Sequence, residues 1–280
     1  MNAPLLEVCE LSCSYPGKAL ALKGVSAVVH PGERIAILGG NGAGKSTFFL
    51  ALTGVLSPNS GRIFLNGEEI TRAKASRQRL HAAVGMVFQE PDNQLIAPTV
   101  EAEVSFGPMN LNLSHAEVGA RVEESLVSLE IEPLRARPPH MLSGGEKKRV
   151  TIADVLAMRP SLMLLDEPTA SLDATGLTAL EKILAKLHSD GLAVMLSTHD
   201  LNLAWRWADR VMLFHEGELA ADAAPEAIFN DEALLSRVGL GLPHVFQVSK
   251  ALARRGLMPS PPSDGQPRSI SDLERLLANL

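Results

Sequence analysis

The sequence predicts an α/β fold in which a mostly parallel sheet carries helices on its faces. Three observations predict it. Short apolar runs typical of buried parallel strands recur along the chain, and helical patterns follow several of them. A glycine-rich loop separates the first run from its helix. The length of 280 residues fits one large domain with an appendage. The runs are Ile35 to Leu38, Val84 to Phe88, Leu162 to Asp166 and Ala193 to Ser197.

The N-terminal part has a different pattern. Apolar and polar residues alternate from Leu5 to Leu11 and again from Leu22 to Val29, which is typical of antiparallel strands with one covered face. We therefore expect an N-terminal antiparallel β-subdomain. The first helix is predicted from Lys45 to Thr53, since Gly54 is a suitable residue to end it.

A largely helical insertion lies between the second and third apolar runs. Its candidate helices predict a helical subdomain over about residues 95–160. They are Val100 to Asn110, His115 to Leu129 and Gly145 to Met158.

The C-terminal part is predicted to be a helical extension, residues 231–280, that follows a main domain of residues 1–230. Apolar positions between Pro243 and Arg255 have helical spacing. The segment from Pro259 to Pro267 contains four prolines and is interpreted as a linker. After it, Ser271 and Glu274 have capping-box spacing and predict a short helix from Asp272 to Asn279.

Composition excludes several classes of protein. The net charge of −6 disfavours broad binding to nucleic acid. No apolar run approaches the roughly 20 residues of a spanning helix. The chain has two cysteines, Cys9 and Cys13, too few for a disulfide framework, which points to a reducing cytoplasm.

The glycine-rich loop fits the pattern G-x-x-x-x-G-K-[ST] between a strand and a helix. Backbone N–H groups in such a loop converge on phosphate oxygens, and the helix N-terminus favours negative charge. We expect Lys45 to reach the β- and γ-phosphates and Ser46 to bind Mg²⁺. The predicted nucleotide contacts are Gly39, Gly40, Asn41, Gly42, Ala43, Gly44, Lys45, Ser46 and Thr47.

Two carboxylates end the third apolar run. Asp166 is placed to orient Mg²⁺, and Glu167 to accept a proton from an attacking water. A kinase has no need of the second carboxylate, so the pair favours hydrolysis.

A second anion-binding helix end is predicted at Ser143, Gly144 and Gly145, which follow Leu142. With the Asp166-Glu167 strand about 20 residues later, this motif resembles the ATP-binding cassette ATPases from residue 5 to about 230. The resemblance implies a P-loop NTPase fold. It also implies that two cassettes close head to tail, so that this end caps the ATP of a second copy or of a paralogous ATPase.

The resemblance assigns further positions one by one. Tyr15 corresponds to the aromatic residue that stacks on adenine. Gln89 corresponds to the glutamine that contacts Mg²⁺ and the attacking water, and Asp173 belongs to the loop that crosses the dimer interface. His199 corresponds to the switch histidine that contacts the γ-phosphate, so Lys45, Gln89, Glu167 and His199 form the catalytic set. Two residues depart from the common pattern: Glu146 stands where glutamine is frequent, and Gly40 where proline is frequent.

The segment from Phe88 to Leu111 is similar to the energy-coupling-factor ATPases, most of all to the ATPase subunit of cobalt and nickel importers. That subfamily works with a transmembrane scaffold protein and a substrate-binding membrane component. The resemblance therefore implies a peripheral protein on the cytoplasmic face of the membrane. It places Glu90 and Asp92 opposite arginines of the scaffold, and it implies that the C-terminal extension holds the two ATPases together.

The sequence leaves alternatives open. The same motifs serve importers of vitamins and other ATP-binding cassette transporters, including exporters. A soluble cassette ATPase acting on DNA or the ribosome is disfavoured by the single cassette and the absence of a basic patch. A nucleotide-gated clamp without turnover is disfavoured by Glu167, Gln89 and His199. The histidines form no ligand pair, which is expected if the transported ion never binds this chain.

Overall fold

A computed structural model describes residues 3–257 and 266–278 of the chain, and the strands in these ranges form two sheets. The first is antiparallel, in the order β2-β1-β4-β5. Alternate residues of β1 are buried, as predicted, with one shift of the alternation at Glu10, where the backbone is left-handed (φ 50°). The strands β4 and β5 were not predicted: the first half of β4 is Ser-Gly-Arg, and β5 has only two residues, both glutamate. The strands are β1 (Leu6–Ser14), β2 (Leu20–Val29), β4 (Ser60–Leu65) and β5 (Glu68–Glu69).

The second sheet has the order β10-β9-β3-β8-β7-β6. All its neighbouring strands are parallel except β10, which pairs antiparallel with β9 at the edge. The predicted parallel core is thus confirmed, although the hairpin of β9 and β10 was not predicted. The strands are β3 (Arg34–Leu38), β6 (Val84–Val87), β7 (Leu162–Leu165), β8 (Ala193–Ser197), β9 (Arg210–His215) and β10 (Glu218–Ala223).

The helices up to residue 207 follow the predicted pattern, except that the helix of residues 74–83 was not predicted. The helix after β3 ends at Leu52, and Gly54 beyond it has a left-handed backbone with φ 74°. Helices α3, α4 and α5 begin and end within one residue of the predictions and pack on one another. The helices are α1 (Lys45–Leu52), α2 (Lys74–Ala83), α3 (Val100–Met109), α4 (His115–Ser128), α5 (Gly144–Ala157), α6 (Ala174–Ser189) and α7 (Leu201–Trp207).

The C-terminal part contains α8 (Pro225–Asn230), α9 (Glu232–Val238), α10 (His244–Arg254) and α11 (Ile270–Ala278). Buried apolar side chains of α8, α9 and α10 belong to the same core as the main sheet, whereas α11 has no buried residue. The ring of Trp205, for example, lies 5.9 Å from that of Phe229 and 4.9 Å from that of Phe246. A division near residue 230 remains a prediction, since the core continues across it.

One C-terminal prediction was wrong. The helix α11 is capped by Ser269 rather than Ser271, because Ser269 Oγ accepts from the N–H of Asp272 while Asp272 Oδ2 accepts from the N–H of Ser269. The capping box is therefore Ser269 with Asp272, two residues before the predicted pair. Most of the predicted proline-rich linker lies outside the described residues.

In residues 3–257 and 266–278, no helix is both long enough and apolar enough to cross a bilayer.

Candidate functional site

The glycine-rich loop joins β3 to α1, and its backbone leaves no room for side chains at two positions. Gly39 has φ 150°, and a Cβ there would lie 2.4 Å from the carbonyl oxygen of Phe214. Gly44 has φ 108°, and its Cβ would lie 2.9 Å from the carbonyl oxygen of Ala21. Glycine is needed at both positions because L-residues with side chains rarely adopt this backbone conformation. The loop can therefore bring its N–H groups close to a phosphate.

Lys45, the first residue of α1, is buried with its ammonium group over the loop. Its Nζ donates to the carbonyl oxygens of Gly39 at 2.8 Å and Gly40 at 3.3 Å. Burial lowers the pKa of Lys45, an effect that the nearby carboxylate of Glu167 opposes. The cation lies 3.8 Å from Oε1 of Glu167.

Asp166 and Glu167 follow β7, and a serine from the neighbouring strand fixes both. Ser197 Oγ donates to Oδ1 of Asp166 at 2.5 Å, and the N–H of Glu167 donates to Ser197 Oγ at 2.9 Å. The backbone of Glu167 is in the left-handed region, with φ 43°. Sequence reasoning missed Ser197. The available signal was that Ser197 ends β8. The strands β7 and β8 are parallel and Leu165 pairs with Leu196, so Asp166 and Ser197, the next residue of each chain segment, come close together.

Glu167 also contacts the predicted switch histidine. Its Oε1 lies 3.0 Å from Nε2 of His199. The geometry of this contact is not that of a hydrogen bond, and the Oε1 atom of Glu167 has no hydrogen-bond partner among the described residues. Oε2 accepts from the backbone N–H of His199 at 3.3 Å. Burial raises the pKa of Glu167, and the charges of His199 and Lys45 oppose the shift.

A cavity of about 460 Å³ brings most of the predicted site residues together. Tyr15 borders it, with its hydroxyl 3.3 Å from Oγ1 of Thr47. Asp166 is buried and does not line the cavity. The predicted residues that line the cavity are Tyr15, Gly40, Asn41, Gly42, Ala43, Gly44, Lys45, Ser46, Thr47, Gln89, Glu167 and His199.

The second predicted anion-binding end lies elsewhere in the chain. Ser143 caps α5 in a capping box, because Ser143 Oγ accepts from the N–H of Glu146 at 3.4 Å and Glu146 Oε2 accepts from the N–H of Ser143 at 2.7 Å. Glu146 Oε2 also accepts from the hydroxyl of Ser143 at 2.8 Å. These hydrogen bonds lower the pKa of Glu146. Ser143, Gly144, Gly145 and Asp173 line a cavity of about 430 Å³ that shares no residue with the first. One chain therefore does not bring them to Lys45.

A lysine that was not predicted from the sequence donates hydrogen bonds to the segment around Gln89. Lys148 Nζ donates to the carbonyl oxygens of Phe88 at 3.2 Å and Gln89 at 2.8 Å. The side chain is 3% exposed, and burial lowers its pKa to about 8. The side chain of Gln94 bridges the N–H of Phe88 and the carboxylate of Asp154. The only signal in the sequence was a lysine within the buried face of α5.

The acidic residues assigned to a scaffold protein differ in their surroundings. Glu90 is exposed. Asp92 already forms an ion pair with Lys147 of the same chain, with 2.6 Å between Oδ1 and Nζ. A partner's arginine would have to compete with that lysine at Asp92.

The residues present fit both a nucleotide and Mg²⁺. The loop around Gly39 and Gly44 is a cradle that a Cβ would fill, and its lysine is aimed across it. Ser46, Gln89 and Asp166 supply oxygen atoms, the ligands that Mg²⁺ prefers beside substrate phosphates. Among the described residues, no group of three or more His, Cys, Asp or Glu side chains is arranged to hold a metal ion.

Comparison with known proteins agrees with this geometry. A family model described as ABC transporter matches residues 22–170. The chain is 46% identical to the cobalt import ATP-binding protein CbiO of Rhodobacter capsulatus, over 98% of both chains. It is 44% identical to the energy-coupling factor transporter ATP-binding protein EcfA of Methanothermobacter thermautotrophicus, over 90% of this chain and 81% of that one.

Two solved structures share the fold. The first is cbiO1 from Clostridium perfringens, part of the ABC transporter complex cbiONQ. It matches with a TM-score of 0.75 and 38% identity, over 89% of this chain and 100% of that one. The second is the ATP-binding cassette MJ0796, a dimer in a post-hydrolysis state bound to ADP and Pi. It matches with a TM-score of 0.70 and 28% identity, over 79% of this chain and 98% of that one.

Proposed function

We propose that this chain, which belongs to the ABC transporter family of ATPases, is the ATP-hydrolysing subunit of an energy-coupling-factor importer for cobalt or nickel ions. Members of the family use ATP with Mg²⁺. The similarity to a cobalt import ATPase along nearly the whole of both chains supports the cargo. The hydrolytic role is supported by one observation: a single cavity is lined by Lys45, Glu167 and His199.

The chain's own groups account for nucleotide binding. The ring of Tyr15 would stack on adenine, and the N–H groups of the glycine-rich loop would donate to the phosphates. The ammonium of Lys45 would exchange the carbonyl oxygens of Gly39 and Gly40 for β- and γ-phosphate oxygens. Ser46, Gln89 and Asp166 would hold Mg²⁺, which neutralises phosphate charge.

Glu167 would act as the general base of hydrolysis. Its carboxylate would take the proton of the attacking water, and its raised pKa makes it a better proton acceptor than an exposed carboxylate. His199 would hold that carboxylate in place and contact the γ-phosphate. Ser197 fixes the backbone of Glu167 from the next strand.

Ser143, Gly144, Gly145 and Asp173 would complete the site of a second copy or of a paralogous ATPase. Their separate cavity supports this assignment, and so does the dimeric assembly of the similar cassette MJ0796. Two subunits would then enclose two Mg-ATP, and hydrolysis would reopen the dimer.

The surface beside Gln89 would receive the transmembrane scaffold protein. Ile96, in the segment after Gln89, and Phe106 and Met109 on α3 are exposed large apolar side chains, and Glu90, next to Gln89 in the chain, is exposed as well. Exposed apolar side chains together with an acidic residue suit a short helix that carries arginine. This contact would hold the chain peripherally at the cytoplasmic face of the membrane, and it involves no nucleic acid and no contact with the metal cargo.

Transport in vesicles tests the proposal. The chain is purified with its scaffold and substrate-binding membrane components and reconstituted, and labelled cobalt, nickel or a vitamin is supplied with ATP. We expect accumulation of a metal ion, and none with the Glu167→Gln chain. Accumulation of a vitamin alone would refute the proposed cargo, and uptake that proceeds with Glu167→Gln would refute the hydrolytic role.

A further inference from the structure

The helix α7 begins two residues after the predicted switch histidine, His199, and is too short to hold its own position. Asp200, between His199 and the helix, caps it by accepting from the N–H groups of Asn202 and Leu203 at 2.8 and 3.1 Å. The helix has seven residues. Isolated helices of fewer than about 12 residues are marginal in water, so α7 depends on its packing.

The C-terminal extension contacts α7 at its start, its middle and its end. At the start, Asn202 Oδ1 accepts from the backbone N–H of His244, the first residue of α10, at 2.7 Å. In the middle, Trp205 Nε1 donates to the carbonyl oxygen of Pro267 at 2.9 Å. The Trp205 ring also packs edge-on against Phe246.

At the end of α7, Arg268 makes three contacts. Its Nη1 donates to the carbonyl oxygen of Ala208, the residue after the helix, at 2.7 Å. Its Nη2 pairs with Oε1 of Glu226 at 2.7 Å, and its guanidinium lies 5.3 Å from the centre of the Trp205 ring. One arginine thus ties the end of α7 to α8 and to the segment that precedes α11.

We infer that residues 244–246 and 266–268 form a clamp on α7 that fixes His199 beside Glu167, so the C-terminal extension sets the hydrolysis rate from within the subunit. This inference rests on the roles proposed above for Glu167 and His199. The clamp acts through the helix and touches neither substrate nor reacting atoms, so Trp205 and Arg268 are positioning residues. A misplacement of about 1 Å can slow an enzyme by as much as about a hundredfold.

The chain offers its own reporter for this test. Trp205 and Trp207 are its two tryptophans, and both lie on α7. In a Trp207→Phe background, the emission of the full chain reports Trp205 alone. Release of the clamp would admit water to Trp205, which is 1% exposed, and shift its emission to longer wavelength.

The experiment compares Arg268→Ala with Arg275→Ala as the matched control. Arg275 lies on α11, is exposed and pairs with Asp272. For Arg268→Ala we expect a red-shifted emission, a kcat of ATP hydrolysis lower by about tenfold and an unchanged KM for ATP. Arg268→Lys keeps the positive charge but replaces the planar guanidinium with a single ammonium group, so it should recover part of kcat, while Arg275→Ala should match the wild type.

Several outcomes would contradict the clamp. A red-shifted emission with unchanged kcat would show that α7 moves without moving the catalytic group, and an unshifted emission would show that Arg268 does not hold the helix. An equal loss in Arg275→Ala, or a rise in KM as large as the fall in kcat, would also overturn the clamp. Glu167→Gln separates the two proposals: if it hydrolyses ATP like the wild type, the proposed site fails, whereas a wild-type rate in Arg268→Ala alone removes only the clamp.

Discussion

Removing the hydroxyl of Ser197 tests whether the strand β8 holds the two acidic residues of the site. The substitution Ser197→Ala keeps the buried volume nearly constant and deletes two hydrogen bonds, one to the carboxylate of Asp166 and one from the N–H of Glu167. A hydrogen bond to a charged group contributes about 1.5–3 kcal/mol and a neutral one about 1 kcal/mol. We therefore expect the free energy of unfolding to fall by about 3 kcal/mol.

The same substitution should slow hydrolysis more than it weakens binding. The backbone of Glu167 is left-handed, and without its partner the N–H no longer keeps the residue in that conformation. Urea denaturation measures the stability, and steady-state hydrolysis measures kcat and the KM for ATP. Ser189→Ala is the control, because its hydroxyl is exposed and donates to the carbonyl oxygen of Lys186 on the same helix. An unfolding free energy and a kcat both equal to the wild-type values would refute this reasoning.

Glu167→Gln should bind ATP normally, trap a closed dimer and nearly abolish turnover, as measured by size exclusion with ATP and by phosphate release; a monomer at saturating ATP would contradict it. Tyr15→Ala should weaken ATP binding about tenfold in calorimetry through lost base stacking, whereas Tyr15→Phe should retain it. Burial raises the pKa of Asp154 to about 6, so the folded state binds more protons than the unfolded state between about pH 4 and 6. Stability from this group is present below that range and lost as the pH rises through it, so the melting temperature of the wild type should fall relative to Asp154→Asn over those pH values; a constant difference would argue against a shifted pKa.

The sequence predicted the parts of the site that are contiguous in the chain. The glycine-rich loop carries its own geometry, since the strand, the turn and the helix N-terminus are consecutive. Asp166 and Glu167 follow an apolar strand for the same reason. Their residue types and spacing are enough, because local backbone conformation does most of the positioning.

Residues that act across elements were not predictable in this way. Ser197 and Lys148 reach partners on other strands and loops, and their roles depend on strand order and helix packing. The capping box was misplaced because Ser269 and Ser271 both precede an acidic residue by three positions, so the spacing alone does not distinguish them. The edge hairpin of β9 and β10 was missed because alanines in β10 give a weak strand pattern.

The glycines of the phosphate loop are not equivalent in the variation they permit. A Cβ at Gly39 or Gly44 would strike backbone atoms, and no rotamer change relieves a backbone clash. Gly40, by contrast, has open space where its Cβ would lie and does not have the positive φ that favours glycine. We therefore expect related sequences to vary at the position of Gly40 but to keep glycine at the positions of Gly39 and Gly44. A substitution at Gly40 would leave phosphate binding by this motif of eight residues unchanged.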